Sequence, residues 1–225
     1  MYQACIFDFD GTLADTLDSI VYFGNSALAE CGYPAIDREK YRYLVGKGSD
    51  LLMRGMLQEV APKGYTEDDV MLLRRIYENL YEHDPMHFVD QYEGMEALLN
   101  ELKAKGIKLA VLSNKPHNIT ERLVTMLFSS DLFDVCYGQR FNVERKPSPE
   151  GALGIAKELG LQAKDCLYIG DSNIDMQTGE AAGMDTVGVL WGFRCRAELE
   201  QSHAKHIVRS PQEILKIALG NTEKN

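Results

Sequence analysis

Two aspartates, Asp8 and Asp10, follow the apolar run Ala4-Cys5-Ile6-Phe7, and Gly11 and Thr12 come directly after them. Residues two apart on an extended backbone share a side, so the two carboxylates face the same way and call for a cation. Gly11 permits the sharp turn that follows. Further polar groups end or follow later apolar runs: Ser113 after residues 107–112, Lys146 in a loop after Val135-Cys136-Tyr137, and Asp171 with Asp175 after residues 166–169. Carboxylates for one hard cation, a hydroxyl donor and a fixed positive charge make up the inventory for binding and transferring a phosphoryl group. Each group alone has an ordinary explanation: an Asp-Gly turn, a hydroxyl bonded to its own turn, a surface ion pair or a helix cap. Four such groups, all at strand ends, argue for one site.

The elements that must position them can be read from periodicity. A short run apolar on both faces, such as 4–7, fits a strand in the middle of a parallel sheet, and open α/β sheets bind ligands beyond the carboxyl ends of their strands. From Tyr92 onward helix and strand alternate. A helix through Leu98, Leu99 and Leu102 is closed by Gly106 and leads to a strand over 107–112. A helix over about 117–128 and a strand over 135–137 follow. Next come a helix carrying Ala152, Ile155, Ala156 and Leu159 and closed by Gly160, strands over 166–169, 186–190 and 207–208, and a last helix over 211–219. This order predicts an α/β fold with a doubly wound parallel sheet. Between Asp15 and about Glu82 the period is helical, through Leu17, Ile20, Leu52, Met56, Leu73 and Tyr77, with no strand signal. An insert of about 65 residues is too long for a loop. We expect an all-helical cap over 15–84 inserted into a core made of 1–14 and 85–225, with Pro85 in the return stretch acting as a hinge. A polar tail after Gly220 is expected to fray.

Composition narrows the partners. The 225 residues, 45% hydrophobic, suffice for a large core with a smaller unit attached. With 34 acidic and 24 basic residues and a net charge of −10, the chain is poorly suited to nucleic acid or an anionic membrane. Five scattered cysteines suggest neither a disulfide framework nor a structural zinc site. There is no leader pattern, and no apolar run approaches the ~20 residues of a membrane span. The expectation is a soluble, cytoplasmic monomer or homodimer. His83 and His87 have the spacing of a helical metal pair, but Pro85 lies between them. His203 and His206 read as exposed loop residues, and Trp191 as a packing residue.

In their order and strand-end placement the polar groups resemble the haloacid dehalogenase superfamily. Its motifs D-x-D-x-T, Ser/Thr, Lys and G-D-x-x-x-D match Asp8-Phe9-Asp10-Gly11-Thr12, Ser113, Lys146 and Gly170-Asp171-Ser172-Asn173-Ile174-Asp175. The resemblance implies a magnesium-dependent phosphoryl transfer. Asp8 would attack phosphorus to give an aspartyl-phosphate, and Asp10 would protonate the leaving alkoxide and then activate water. The metal would be held by Asp8, the main-chain carbonyl of Asp10 and Asp171, with Asp175 either supporting these ligands from behind or acting through water. Ser113 would donate to a phosphoryl oxygen, Lys146 would orient Asp8 and neutralise charge, and Thr12 and Asn114 would complete the substrate pocket.

A helical cap between Asp10 and Ser113 is, in that superfamily, where substrate choice lies. Val45-Gly46-Lys47-Gly48-Ser49, Leu112-Ser113-Asn114-Lys115-Pro116 and Val189-Leu190-Trp191-Gly192-Phe193-Arg194 resemble phosphoglycolate phosphatases. Gly46 and Lys47 are therefore expected to meet a small phosphomonoester such as 2-phosphoglycolate, with Lys47 facing its carboxylate. The Gly-Lys pair is not a nucleotide P-loop, because Tyr41 stands where the first Gly belongs and Gly48 where Ser or Thr belongs. A phosphosugar mutase and a phosphatase of another small phosphorylated metabolite are alternatives on the same core. So is a non-catalytic phosphometabolite-binding protein, against which the intact set of Asp8, Asp10, Ser113, Lys146, Asp171 and Asp175 weighs.

Overall fold

The structure is a computed structural model that describes residues 1–221. Beyond Asn221, the polar tail read after Gly220 lies outside the described residues. The chain runs β1 (Ala4–Phe7), β2 (Ala14–Asp15), α1 (Leu17–Glu30), α2 (Arg38–Leu44), α3 (Ser49–Val60), α4 (Glu67–His83), β3 (Asp90–Gln91), α5 (Met95–Ala104) and β4 (Lys108–Pro116). It continues through α6 (His117–Leu127), β5 (Val135–Gln139), α7 (Glu150–Glu158), β6 (Cys166–Gly170), α8 (Asn173–Ala181), β7 (Asp185–Val189), α9 (Arg196–Gln201), β8 (His206–Val208) and α10 (Pro211–Ala218).

Six strands form one parallel sheet in the order β5-β4-β1-β6-β7-β8, the doubly wound α/β arrangement. The centre of that order falls on β1 and β6 because their residues are apolar on both sides. All four residues of β1 are fully buried. Cys5 and Phe7 join the larger hydrophobic cluster, whereas Ala4 and Ile6 join a second one with Ala152 and Ile155 of α7. Burying a side chain such as Ile6 or Phe7 contributes ~1.5–3 kcal/mol, so the sheet is held from both faces and the ends of β1, β4 and β6 are fixed points.

The helices α1–α4 follow β2 as the periodicity predicts. Leu17, Ile20 and Phe23 of α1, Met53, Met56 and Leu57 of α3, and Leu73, Tyr77 and Tyr81 of α4 recur at helical spacing and are buried. Thr66 and Asp69 form a reciprocal capping box that starts α4. The absence of a strand signal here needs correction at one point. Ala14 pairs antiparallel with Gln91 and Asp15 with Asp90, so the chain leaving β1 and the chain returning to α5 are tied together by β2 and β3. Two-residue strands carry no readable alternation.

Other differences are local. β4 runs past Leu112 through Pro116, and α8 and α9 were not foreseen. His206 is a half-buried residue opening β8 and not an exposed loop residue. His83 ends α4 with Nδ1 on the carbonyl of Asn79, while His87 pairs with Asp84 in the turn beyond. Among the described residues, no helix is long and apolar enough to cross a membrane.

Candidate active site

The carboxyl ends of β1, β4 and β6 converge on one polar cluster. The main-chain N–H of Asp8 donates to the carbonyl of Ile169 at 2.8 Å, which continues the pairing of β1 with β6 up to the first carboxylate. Gly11 then turns the chain at φ +83°, a conformation that disfavours a side chain, and a Cβ there would collide with the Asp171 carboxylate. Asp171 leaves β6 beneath that turn, and its Oδ2 accepts from the Phe193 N–H at 2.6 Å. At the start of α8, Oδ2 of Asp175 accepts from both the N–H and the hydroxyl of Ser172, at 3.1 and 2.6 Å, in a reciprocal cap. Asp8, Asp171 and Asp175 each bring an oxygen within 4.8 Å of the others, and all three are buried.

Lys146 is the cation that serves this cluster. Its ammonium lies 2.7 Å from Oδ1 of Asp8 and 2.8 Å from Oδ1 of Asp175, and the residue is 5% exposed. Asn114 holds its backbone: Oδ1 accepts from the Lys146 N–H at 2.9 Å and Nδ2 donates to the Lys146 carbonyl at 3.0 Å. Burial opposes the charge on Lys146, but Asp175 and Asp8 outweigh it and hold its pKa well above the usual value. The carboxylates feel the reverse. Burial, then repulsion from Asp175, pushes Asp8 upward against the pull of Lys146, and the same two causes push Asp171 up to about 7. Three buried carboxylates share one ammonium, so the cluster lacks positive charge. A divalent cation would supply it, and an all-oxygen donor set fits magnesium better than zinc.

Asp10 stands apart from the three. Its Oδ1 accepts from the Thr16 hydroxyl at 2.7 Å, and its carboxylate pairs with the ammonium of Lys115 at 3.1 Å. Burial works against the charge on Lys115, yet Asp10 and the nearby Tyr81 and Tyr77 hold its pKa above the usual value. Asp8, Asp10, Ser113, Lys115 and Lys146 line one partly open cavity together with Gly46, Ser49, Tyr77 and Tyr81 from the helical insert.

The insert reaches this cavity through its main chain. Core side chains donate to three successive carbonyls of the loop between α2 and α3: Arg194 to Val45 at 3.1 Å, Asn114 to Gly46 at 2.9 Å and Arg145 to Lys47 at 3.0 Å. Arg42 returns one bond to the Phe193 carbonyl at 3.4 Å. Gly48, at φ +86°, lets the loop turn into α3 beside Arg145.

The structure therefore brings together Asp8, Asp10, Ser113, Lys146, Asp171, Asp175, Asn114 and Gly46. Ser113 is buried beside the cavity with its hydroxyl accepting from the Lys115 N–H at 3.1 Å. The amide of Asn114 is occupied as a strut between Lys146 and the loop. Two expected residues lie elsewhere. The Thr12 side chain is fully buried with no hydrogen-bond partner for its hydroxyl among the described residues, and its carbonyl accepts from Trp191 Nε1 at 3.1 Å. Lys47 is exposed and does not line the cavity. Lys115, Tyr77, Tyr81, Arg145 and Arg194 were not singled out from sequence. For Lys115 there was a signal: it stands two residues after Ser113 on a strand and shares its side.

A parallel sheet with these carboxylates and this lysine at its strand ends, and with a helical insert after the first of them, defines a haloacid dehalogenase-like hydrolase. The chain belongs to that family, whose model matches residues 5–189. It is 30% identical over 215 residues to the phosphoglycolate phosphatase of Aquifex aeolicus, covering 96% of each chain. The crystal structure of a predicted phosphoglycolate phosphatase from Haemophilus somnus superposes with a TM-score of 0.90 at 28% identity, covering 96% of this chain and 97% of that one. A β-phosphoglucomutase from Clostridium difficile, at 23% identity and a TM-score of 0.80, covers 98% of this chain and 96% of its own and shares the fold. The family and its relatives make this protein an enzyme of the phosphatase class.

Proposed function

We propose that the protein hydrolyses a small phosphomonoester, 2-phosphoglycolate being the best candidate, through an aspartyl-phosphate on Asp8. The observation that carries the reading is the buried Lys146 ammonium fixed between Asp8 and Asp175 at 2.7 and 2.8 Å, with the Ser113 hydroxyl lining the same cavity. Lys146 occupies Oδ1 of Asp8 and leaves Oδ2 as the attacking oxygen. Asp10 takes up a proton before the transfer; as the Asp8–phosphorus bond forms, the bond to the substrate oxygen breaks and Asp10 gives that oxygen its proton. Asp10, now a carboxylate, takes a proton from water; the water oxygen attacks phosphorus, and the bond to Asp8 breaks to release phosphate. Ser113 and Lys146 hold the phosphoryl oxygens, and Asp175 positions Lys146. Magnesium held by Asp8, the Asp10 carbonyl and Asp171, with Asp175 acting through water, would offset the negative charge that gathers on the phosphoryl group.

In this reading residues 15–84 form a cap that closes over the cleft, and 1–14 with 85–225 form the core that carries the chemistry. The named activity of the Aquifex aeolicus relative supports the substrate. A panel of phosphorylated metabolites assayed with magnesium tests the proposal. Phosphate release greatest from 2-phosphoglycolate, and abolished by chelator, is expected. Isomerisation of a sugar phosphate without net phosphate release would replace it with a mutase.

A further inference from the structure

The cavity contains two ammonium groups, and the chemistry above uses one. Lys115, at the end of β4, has a side chain 8% exposed, with Nζ 3.1 and 3.3 Å from the two oxygens of Asp10 and 4.8 Å from the centre of the Tyr81 ring. Tyr81, on α4 in the helical insert, is 1% exposed, and its hydroxyl is buried without a hydrogen-bond partner among the described residues. Both residues line the cavity that holds Asp8 and Ser113. An ammonium has three donors, and Asp10 takes at most two of them. A buried hydroxyl without a partner is costly unless a ligand or water completes it. A free donor and an unpaired hydroxyl thus belong to residues that line the same cavity as the groups equipped for a phosphate.

We infer that Lys115 and the Tyr81 hydroxyl form the specificity-determining pair of this enzyme, binding a second anionic group, a carboxylate, at the end of the substrate opposite the phosphate. The inference rests on the phosphomonoester reading above. Ser113 and Lys115 lie two residues apart on the extended end of β4, so one strand presents a phosphoryl-side hydroxyl and a cation to the same cavity. The long stem of Lys115 lets the ammonium keep Asp10 while turning its third donor to the ligand. Apolar neighbours in the wall, Ile20, Leu52 and Ile119, keep the local dielectric low and strengthen the contact. A substrate without the second anion leaves donor and hydroxyl unpaired, which is how a polar site rejects an analogue lacking the matching group.

The test compares 2-phosphoglycolate with ethyl phosphate, which lacks the carboxylate, using the full chain with magnesium. Wild type is expected to prefer 2-phosphoglycolate. In Lys115→Met that preference, read as the ratio of kcat/KM values, should fall by about ten- to a hundred-fold, mostly through KM. Tyr81→Phe, which removes only the hydroxyl and keeps the packing ring, should reduce the ratio several-fold even if Lys115→Met fails to fold. Equal proportional losses on both substrates would overturn the inference, because Lys115 would then serve Asp10 alone; an unchanged ratio in both variants would overturn it too. Neither result touches the phosphatase reading, since wild type would still release phosphate. A wild type that hydrolyses neither compound, or shows no preference between them, overturns the substrate reading and this inference together.

Discussion

The two sides of the cleft are built on different terms. On the core side the functional groups are side chains, and most are held by other side chains: Lys146 by Asp8 and Asp175, Asp175 by Ser172, and Asp10 by Thr16 and Lys115, while Asp171 and Ser113 accept from the main-chain N–H groups of Phe193 and Lys115. On the side of the helical insert, the loop over 45–47 meets the core through main-chain carbonyls, and the polar side chain it carries, Lys47, is exposed. Chemistry on the core side depends on which residues are present. The contact this loop makes with the core depends on where a backbone runs, so substitutions at the loop should act through geometry and be weaker.

The largest effect should come from the core. Asp8→Asn should lower kcat by roughly 10⁴-fold or more while far-UV circular dichroism stays native, because an amide cannot serve as the nucleophile. Near-native turnover would break the distinction between the two sides at its strongest point.

The next effect is on stability and has a defined sign. In the folded chain the Asp171 carboxyl is raised from an ordinary 3.8 to about 7, by burial first and Asp175 second. Below pH 3.8 the group is protonated whether the chain is folded or not, and above about 7 it is ionised in both states. Between these values the folded state keeps a proton that the unfolded chain has lost. Metal-free protein therefore loses stability as pH rises through this window, by up to about 1.4 kcal/mol per pH unit from this group. Asp171→Asn removes that dependence. Urea unfolding in chelator should show the variant gaining on wild type between pH 4 and pH 7, and a constant difference would contradict the assignment of the raised pKa to Asp171.

The smallest effects should come from the loop. Arg145→Ala removes the donor to the Lys47 carbonyl and should raise KM for 2-phosphoglycolate about two- to fivefold with kcat little changed. Lys47→Ala leaves that carbonyl in place and should change kcat/KM by about twofold or less. A tenfold loss in Lys47→Ala, measured by steady-state phosphate release, would make its side chain a substrate contact and erase the contrast between the two sides.

The same division explains what could be read from sequence. Asp8, Ser113 and Asp171 were legible because each follows an apolar run, and a strand buried on both faces fixes what comes after it, whereas Lys146, in a loop well past β5, was legible only from its place in the order of the polar groups. Asp175 was legible as part of a motif, but its pairing with Ser172 as the start of α8 was not drawn from the S-x-x-D spacing that announces it. The bracing role of Asn114 is not legible in sequence, because its partners, the carbonyls of Gly46 and Lys146 and the Lys146 N–H, are main-chain atoms that leave no trace in residue types. Lys115 has no role in the motif pattern, although alternation along β4 puts it on the side of Ser113, and both line the cavity. β2 and β3 were invisible, since two residues are too short for a period to appear.

The central claim is that Asp8 carries the phosphoryl group. Enzyme in excess over 2-phosphoglycolate, quenched in acid within a single turnover and digested, should yield a phosphorylated peptide containing Asp8, and Asp8→Asn treated alike should yield none. Single-turnover phosphate release with no label on that peptide at any quench time, or the label on another residue, would contradict the account.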